Sequence, residues 1–365
     1  MGNRASPLEV MVNQAFWSGK RVFITGHTGF KGGWLSLWLH KMGANVVGYA
    51  LPPPTTPSFF VTAGIENLLE SLIGDIRDRE TLSQSIRTAN PEIIFHLAAQ
   101  SLVSEGYRDP VGTYETNVTG TLNLLEAVRP LTNLRAVVIV TTDKCYENRE
   151  TSDAYREGDP LGGYDPYSAS KACTEIITHA WRRSFFGGEQ AARIATARAG
   201  NAIGGGDWTE NRLIPDLLRA FATNQTAEVR HPEATRPWQH VLEPLAGYLT
   251  LAESLFSDHA VQGAWNFGPA LSDCVSVGTV ADQLATHWPK PANWHAMESN
   301  IPHEAGLLIL DSTQARKILK WRSRWPLTEA LRRTVDWQQA WLNELDMQTF
   351  SKHQIDGYIH TSVTQ

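Results

Sequence analysis

The sequence predicts an α/β protein: a Rossmann-type, doubly wound parallel sheet with a smaller C-terminal α/β substrate lobe. Three observations predict it. Short apolar runs alternate with longer amphipathic ones from Arg21 to about Arg198. The runs lack polar alternation, as parallel strands buried on both faces do. A glycine triplet directly follows the first run, where such a sheet receives phosphate.

The strand-like runs are "RVFIT", "ANVVGYA", "EIIFHLAA", "AVVIVTT" and "RIATARA". Between them, helical patterning covers Gly33 to Met42, Asp78 to Asn90, Thr113 to Arg129 and Tyr167 to Phe185. Repeated strand, helix, strand implies parallel pairing through right-handed crossovers. After Gly200 the pattern loosens into "GNAIGGGDW", a helix-like "NRLIPDLLRAFA" and the Pro-flanked "RHPEATRPWQHV". A helix over Val241 to Phe256, a strand at "AWNFGP" and a last amphipathic helix over Leu327 to Leu342 follow. The division expected is an N-terminal extension (1–18), a Rossmann domain (19–200, completed by 239–264) and a smaller lobe (201–238 and 265–365).

Composition bounds the function. At 365 residues, with 42% apolar and 19% charged side chains, the chain can bury a sizeable core. Its net charge of −6 argues against nucleic-acid or anionic-membrane partners, so any phosphate site must be local. Cys145, Cys173 and Cys274 show no CxxC or Cys/His spacing, which speaks against a disulfide framework or a metal site and for a reducing cytoplasm. No run of about 18 apolar residues could span a bilayer, and residues 1–20 lack the order of a signal peptide.

In "FITGHTGFKGGW", Gly26, Gly29 and Gly32 stand at three-residue spacing between the first strand and its helix. The first two let the backbone approach a pyrophosphate, the third lets the helix pack close, and the helix N-terminus supplies N–H donors. Thr28, Phe30 and Lys31 complete this loop. An acidic residue after the second strand usually holds the adenosine ribose; "VVGYALPPP" offers Tyr49, Ala50 and Leu51 instead. Ribose contacts are therefore weaker or come from elsewhere. "GDIRD" places Asp75 and Ile76 beside the adenine, while Trp34 and Trp38, one helical turn apart, read as core.

"PYSASKACTE" holds Tyr167 and Lys171 at i and i+4, on one face of a helix. An ammonium there lowers the tyrosine pKa and binds the nicotinamide ribose, making the phenol a base for a hydroxyl proton. Upstream, "VIVTTDKCYENRE" runs a buried strand straight into Asp143 and Lys144.

The set "TGHTGFKG", "HLAAQ", "TNVTGTLNLLEA", "TTDKCY", "YDPYSASK" and "RAGNAIGGGDW" resembles the extended short-chain dehydrogenase/reductase family, and within it the sugar-nucleotide 4,6-dehydratases, nearest to the branch acting on CDP-glucose. The resemblance runs from about Phe16 onward. It implies a tightly held NAD, a homodimer built on a helix bundle and a nucleoside-diphosphate sugar in the C-terminal lobe. It also implies that Leu97, Ala98, Ala99, Asn117 and Thr141 line the cofactor cleft, and that Gln100 and Thr142 meet the sugar. Thr142 would hydrogen-bond the 4-hydroxyl with Tyr167 as its base, Lys171 would anchor the nicotinamide ribose, and Asp143 would protonate the departing 6-hydroxyl. Where most of these dehydratases place a glutamate as base for the C5 proton, this chain has Lys144. A lysine serves as base only when neutral, against an ordinary pKa of about 10.4; burial, the nicotinamide charge and Lys171 would lower it. Held charged, Lys144 would stabilise the developing enolate instead.

In the lobe, the resemblance assigns Asn201 to the diphosphate and His303, with Glu304, to the nucleotide pocket. "NRLIPD", with Arg212 and Pro215, opens a helix able to receive phosphate, and "RPWQHV" offers Arg236 beside Trp238. Ser104 and Glu105 stand where relatives tend to have basic residues. Two competing readings remain: a 4-epimerase, which has no use for an acid and base at C5 and C6, and an NAD-binding regulator, which has no use for Tyr167 and Lys171.

Overall fold

The computed structural model describes residues 12–297 and 306–361. In chain order the strands are β1 (Arg21–Thr25), β2 (Asn45–Ala50), β3 (Glu70–Ile73), β4 (Ile93–His96), β5 (Ala136–Val140), β6 (Arg193–Ala199), β7 (Asn201–Ile203), β8 (Ala227–Val229), β9 (Thr235–His240), β10 (Gly263–Phe267), β11 (Cys274–Ser276) and β12 (Trp294–Ala296). Seven form one sheet, ordered β10-β6-β5-β4-β1-β2-β3, every neighbouring pair parallel. This is the doubly wound sheet expected. The order reverses between β1 and β4, where Thr25 stands opposite both Tyr49 and His96. A crevice opens at the carboxyl ends of strands at such a switch point.

The Phe30–Lys41 helix is buried all round from Gly32 to Leu39, which a helix sandwiched between other elements requires. Trp34 stacks on Phe59 at 4.6 Å and donates from Nε1 to the Gly205 carbonyl at 3.0 Å. Trp38 meets the edge of Tyr358 at 5.7 Å. Both tryptophans are core, as expected. The lobe carries a sheet of β11-β9-β7 and a pair, β12-β8. Its own core gathers Leu217, Phe221, Trp238, Val280, Leu284 and Leu331.

Three expectations need correction. The single helix expected over Thr113 to Arg129 is Pro110–Tyr114, a π-turn over Glu115–Thr119 and Gly120–Val128. A third strand, β3, ends directly before "GDIRD"; its "ESLI" is half polar, as befits a strand at the sheet edge. β10 pairs with β6 through Phe267, so a boundary at 265 cuts a strand. Finally, Leu327–Leu342 is followed by another helix, Met347–His360, whose Ile355 and Tyr358 are buried in the same cluster as the Phe30–Lys41 helix. At the other end, Trp17 is fully buried in that cluster as well.

The Met347–His360 helix is held by a clasp. Arg324 Nη1 donates to the carbonyls of Ile359 at 2.6 Å and Thr361 at 2.9 Å. The Glu243 carboxylate accepts from Trp325 N and from the Tyr358 hydroxyl, each at 2.7 Å. Burial pushes the Glu243 carboxyl up to about 7.

Candidate active site

The glycine loop turns at Gly26, whose φ of +81° favours glycine. A Cβ there would lie 2.7 Å from Ala98 N, and one at Gly32 would lie 2.0 Å from the Gly26 carbonyl. The loop, the first turn of the Phe30–Lys41 helix and the Leu97–Ala99 segment thus close on one another as a backbone cradle that side chains would fill. That arrangement fits a dinucleotide pyrophosphate. Thr28 donates to the Leu51 carbonyl at 2.9 Å, tying the loop to the end of β2. Sequence reasoning passed over His27. It is fully buried behind the loop, its Nε2 is 2.8 Å from Ser71 Oγ, and burial lowers its pKa to about 4.

At the end of β5 the chain turns into a short 3₁₀ helix, Asp143–Cys145, capped by Thr142. Thr142 Oγ1 donates to Asp143 Oδ1 at 2.9 Å and accepts from Lys144 N at 3.3 Å, and Thr142 beside the Tyr167 phenol pulls the phenol's pKa down. Thr142 therefore stands next to the phenol and the acid together. Asp143 is buried and its Oδ2 has no hydrogen-bond partner among the described residues. Burial raises its pKa, against the pull of Lys144, Thr142, Arg236 and Lys31. The carboxyl is thereby biased toward its protonated, proton-donating form. The burial expected at Lys144 falls on Asp143 instead; Lys144 is half-buried.

The Pro166–Phe185 helix, capped by Asp165, presents Tyr167 and Lys171 to this turn. Burial pushes Tyr167 up to about 12, offset by Thr142 and Arg212. Lys171, expected to be the cation lowering it, donates instead to the Val140 carbonyl at 3.2 Å; burial and Lys31 bring it down to about 8. Lys31 is itself lowered to about 8 by burial and by Arg212, with Asp143 and Asp207 pulling it up. Lys31, Lys144, Lys171, Arg212 and Arg236 are thus linked electrostatically with Asp143 and Asp207 beside Tyr167. This positive balance suits diphosphate groups, although the whole chain is acidic.

Several of the expected side chains are engaged within the protein. Asn117 accepts from Gln100 N at 2.9 Å and donates to the Gln100 carbonyl and Ser170 Oγ, each at 2.9 Å. Its side chain therefore pins the loop after β4 to the Pro166–Phe185 helix. Gln100 folds back on its own loop, donating to the Leu102 carbonyl at 3.0 Å and to Thr113 at 2.9 Å. Thr141 donates its hydroxyl to Glu175. Trp238 belongs to the lobe core, with Nε1 bonded to the Val275 carbonyl at 3.1 Å. The Asp75 carboxylate is paired with Arg77 at 2.6 Å, while Ile76 is buried against Gly120.

Asn201 begins β7, in register with Trp238. Arg212 is the N-cap residue of the Leu213–Ala222 helix; it reaches Ser101 Oγ at 3.0 Å and Asp207 at 3.4 Å, linking the sheet to the lobe. Pro215 is buried in the first turn of that helix. Arg236 is buried, not a surface arginine stacked on Trp238, and its charge acts on Asp143. Glu105 pairs with the exposed Arg108. His303 and Glu304 lie outside the described residues.

A doubly wound sheet with a glycine cradle at its switch point and a Thr, Tyr, Lys set facing it defines a dinucleotide-dependent enzyme of the extended short-chain dehydrogenase/reductase type. The family model described as GDP-mannose 4,6 dehydratase matches residues 23–334, and the chain belongs to that family. CDP-glucose 4,6-dehydratase of Salmonella typhimurium is 51% identical over 354 residues, spanning 96% of this chain and 99% of that protein. UDP-glucose 4-epimerase of Halalkalibacterium halodurans is 26% identical, spanning 85% of this chain and 92% of that protein. Among solved structures, dTDP-glucose 4,6-dehydratase from Bacillus anthracis in complex with NAD has a TM-score of 0.72 at 20% identity, covering 87% of this chain and 96% of that one. UDP-glucose 4-epimerase from Thermotoga maritima with UDP-glucose has a TM-score of 0.75 at 20% identity, covering 88% and 99%. These two structures speak to the fold.

Proposed function

We propose that the protein is an NAD-dependent CDP-glucose 4,6-dehydratase, converting CDP-D-glucose to CDP-4-dehydro-6-deoxy-D-glucose. The observation that carries this reading is Thr142, which donates to the buried Asp143 carboxyl and stands beside the Tyr167 phenol. A redox base and a buried acid then serve one sugar. The relative of 51% identity supports CDP as the nucleotide, and the NAD held by the dehydratase structure supports the cofactor.

In this reading the Gly26–Gly32 loop, Lys31, Leu97–Ala99 and Lys171 hold NAD, which when bound supplies the reversible hydride store for C4 and C6. Tyr167, oriented by Thr142, removes the proton of the 4-hydroxyl. The 4-ketone acidifies the C5 hydrogen, and Asp143 donates its proton to the departing 6-hydroxyl. Lys144 faces the C5 and enolate side, as base or as charged stabiliser. Arg212, Arg236 and Asn201 receive the diphosphate. A 4-epimerase shares the Tyr167 half, but gains nothing from a buried acid, Asp143, beside it.

Exposed apolar side chains on two adjacent helical segments, Val111, Tyr114 and Ile176, support a homodimer paired through those helices. No described helix is long and apolar enough to cross a membrane, and Cys145, Cys173 and Cys274 are free thiols; both agree with a cytoplasmic enzyme. The test is incubation with CDP-, dTDP-, GDP- and UDP-glucose, with and without NAD, followed by the alkali-sensitive absorbance of a 4-keto-6-deoxy sugar. CDP-glucose is the expected substrate. No product from any of the four would overturn the dehydratase reading, and product from dTDP-glucose alone would overturn the CDP assignment.

A further inference from the structure

Glu175 stands four residues after Lys171 on the catalytic helix and is buried with Arg198, the two side chains each 3% exposed. The Glu175 carboxylate takes four donors: Thr141 Oγ1, Arg198 Nε at 2.9 Å, Thr196 Oγ1 at 2.7 Å and Arg198 Nη2 at 2.8 Å. Arg198 Nη1 donates onward to the Tyr146 hydroxyl at 2.8 Å and to the Glu157 carbonyl at 3.1 Å. The Tyr146 hydroxyl donates to Asn266 Oδ1 at 2.7 Å, and Asn266 Nδ2 donates to the Tyr155 carbonyl at 2.9 Å. The Tyr146 ring also stacks on Tyr155 at 5.0 Å and lies 4.8 Å from the guanidinium.

Thr141 and Tyr146 flank the segment that carries Thr142, Asp143 and Lys144. The ion pair therefore grips that segment at both ends, the carboxylate at the Thr141 end and the guanidinium at the Tyr146 end. The Thr141 grip also ties β5 to the catalytic helix, one helical turn from the point where Lys171 meets the Val140 carbonyl. A buried pair with its donors and acceptors this fully used has little freedom to shift. A buried ion pair is in general a poor source of net stability, and its better-attested use is to fix one arrangement.

We infer that Glu175 and Arg198 are positioning residues for the reaction proposed above, on which this inference rests. The Thr141 end sets Thr142 against Tyr167 for C4 oxidation, and the Tyr146 end sets the Asp143–Cys145 turn for elimination. Neither residue touches substrate; each acts through the residue it holds. Two isosteric variants separate the ends while leaving the pair intact.

In Y146F, substrate-dependent NADH formation stays within about threefold of wild type, while C5 deuterium incorporation and product formation fall about 10²-fold, the scale set by misplacing a reacting group by about 1 Å. In T141V, NADH formation itself falls about tenfold, and T141S restores it. R198K, which keeps the charge opposite Glu175 but loses the Tyr146 contact, replaces Y146F if that variant does not fold. A merely structural role predicts a lowered thermal midpoint with both half-reactions reduced equally, or neither; either result overturns the inference. The substrate used is whichever nucleoside-diphosphate glucose the wild type turns over. If it turns over none, the dehydratase reading falls, and the clamp is judged without substrate: amide hydrogen exchange across 142–146 must be faster in Y146F than in wild type, and equal exchange overturns it.

Discussion

Asp143→Asn tests the elimination half with the smallest change of shape. The amide oxygen can still accept from Thr142, the one hydrogen bond that the Asp143 side chain makes among the described residues, so Thr142 keeps its place beside Tyr167. What disappears is the acidic group, a buried carboxyl whose Oδ2 has no partner among the described residues. A positioned acid contributes about 10² to 10⁴ in rate, equivalent to about 3 to 5 kcal/mol of barrier. Product formation should fall by that factor, while substrate-dependent NADH formation persists. Stability should move the other way. Burial raises the Asp143 pKa, so near neutral pH its ionisation opposes folding, and a neutral amide removes that penalty. The thermal midpoint at pH 7 should equal or exceed that of wild type. The assays are alkali-developed product absorbance, stopped-flow NADH absorbance and a melting curve. Product formation within about fivefold of wild type, or NADH formation lost in step with product, would show that Asp143 is not the acid.

Lys144→Ala should leave NAD binding intact and still permit C4 oxidation, accumulating NADH, while solvent hydrogen exchange at C5 stops; normal exchange would remove Lys144 from the role of base. Gly26→Ala places a Cβ 2.7 Å from Ala98 N at a φ of +81° and should cost about 1 to 3 kcal/mol in a melt, with NAD binding weakened as well, as calorimetry would record. Glu243→Gln probes pH: a carboxyl raised from 4.5 to about 7 in the folded state contributes fully below its unfolded pKa and loses that contribution as pH rises through about 7. The melting midpoint of the variant relative to wild type should therefore climb between pH 5 and 7 and level off above it, over a span of about 3 kcal/mol. A flat difference would mean that Glu243 does not titrate in this window.

The glycine loop and the shared helix of Tyr167 and Lys171 were legible in the sequence because local chemistry dictates them. Gly26 and Gly32 occupy positions no side chain can fill, and Tyr167 with Lys171 needs only helical spacing. The contacts that the sequence leaves open are those of amides and a hydroxyl. Asn117, Gln100 and Thr141 carry groups that suit a ligand or a backbone equally, and only tertiary packing decides; here it turned them toward Ser170, Leu102 and Glu175. Glu175 left a trace as the fourth residue after Lys171, but its partner Arg198 arrives on β6 and no spacing rule links the two. The Met347–His360 helix escaped for a related reason. A helix of mixed face shows weak periodicity, and its burial is settled by what it covers.

That last helix has a consequence for biosynthesis. The Trp34 and Trp38 side chains lie in the first helix after β1, yet Tyr358 and the Arg324 clasp that complete their enclosure are translated long afterwards. A nascent chain cannot finish its nucleotide-binding half first and leave the rest to follow, which is the usual order for multi-lobed proteins. Until residues 347–360 leave the ribosome, a tryptophan-rich surface stays uncovered. Chaperone occupancy of the nascent chain should therefore persist until release, and stop codons upstream of Met347 should yield aggregates rather than a soluble cofactor-binding fragment.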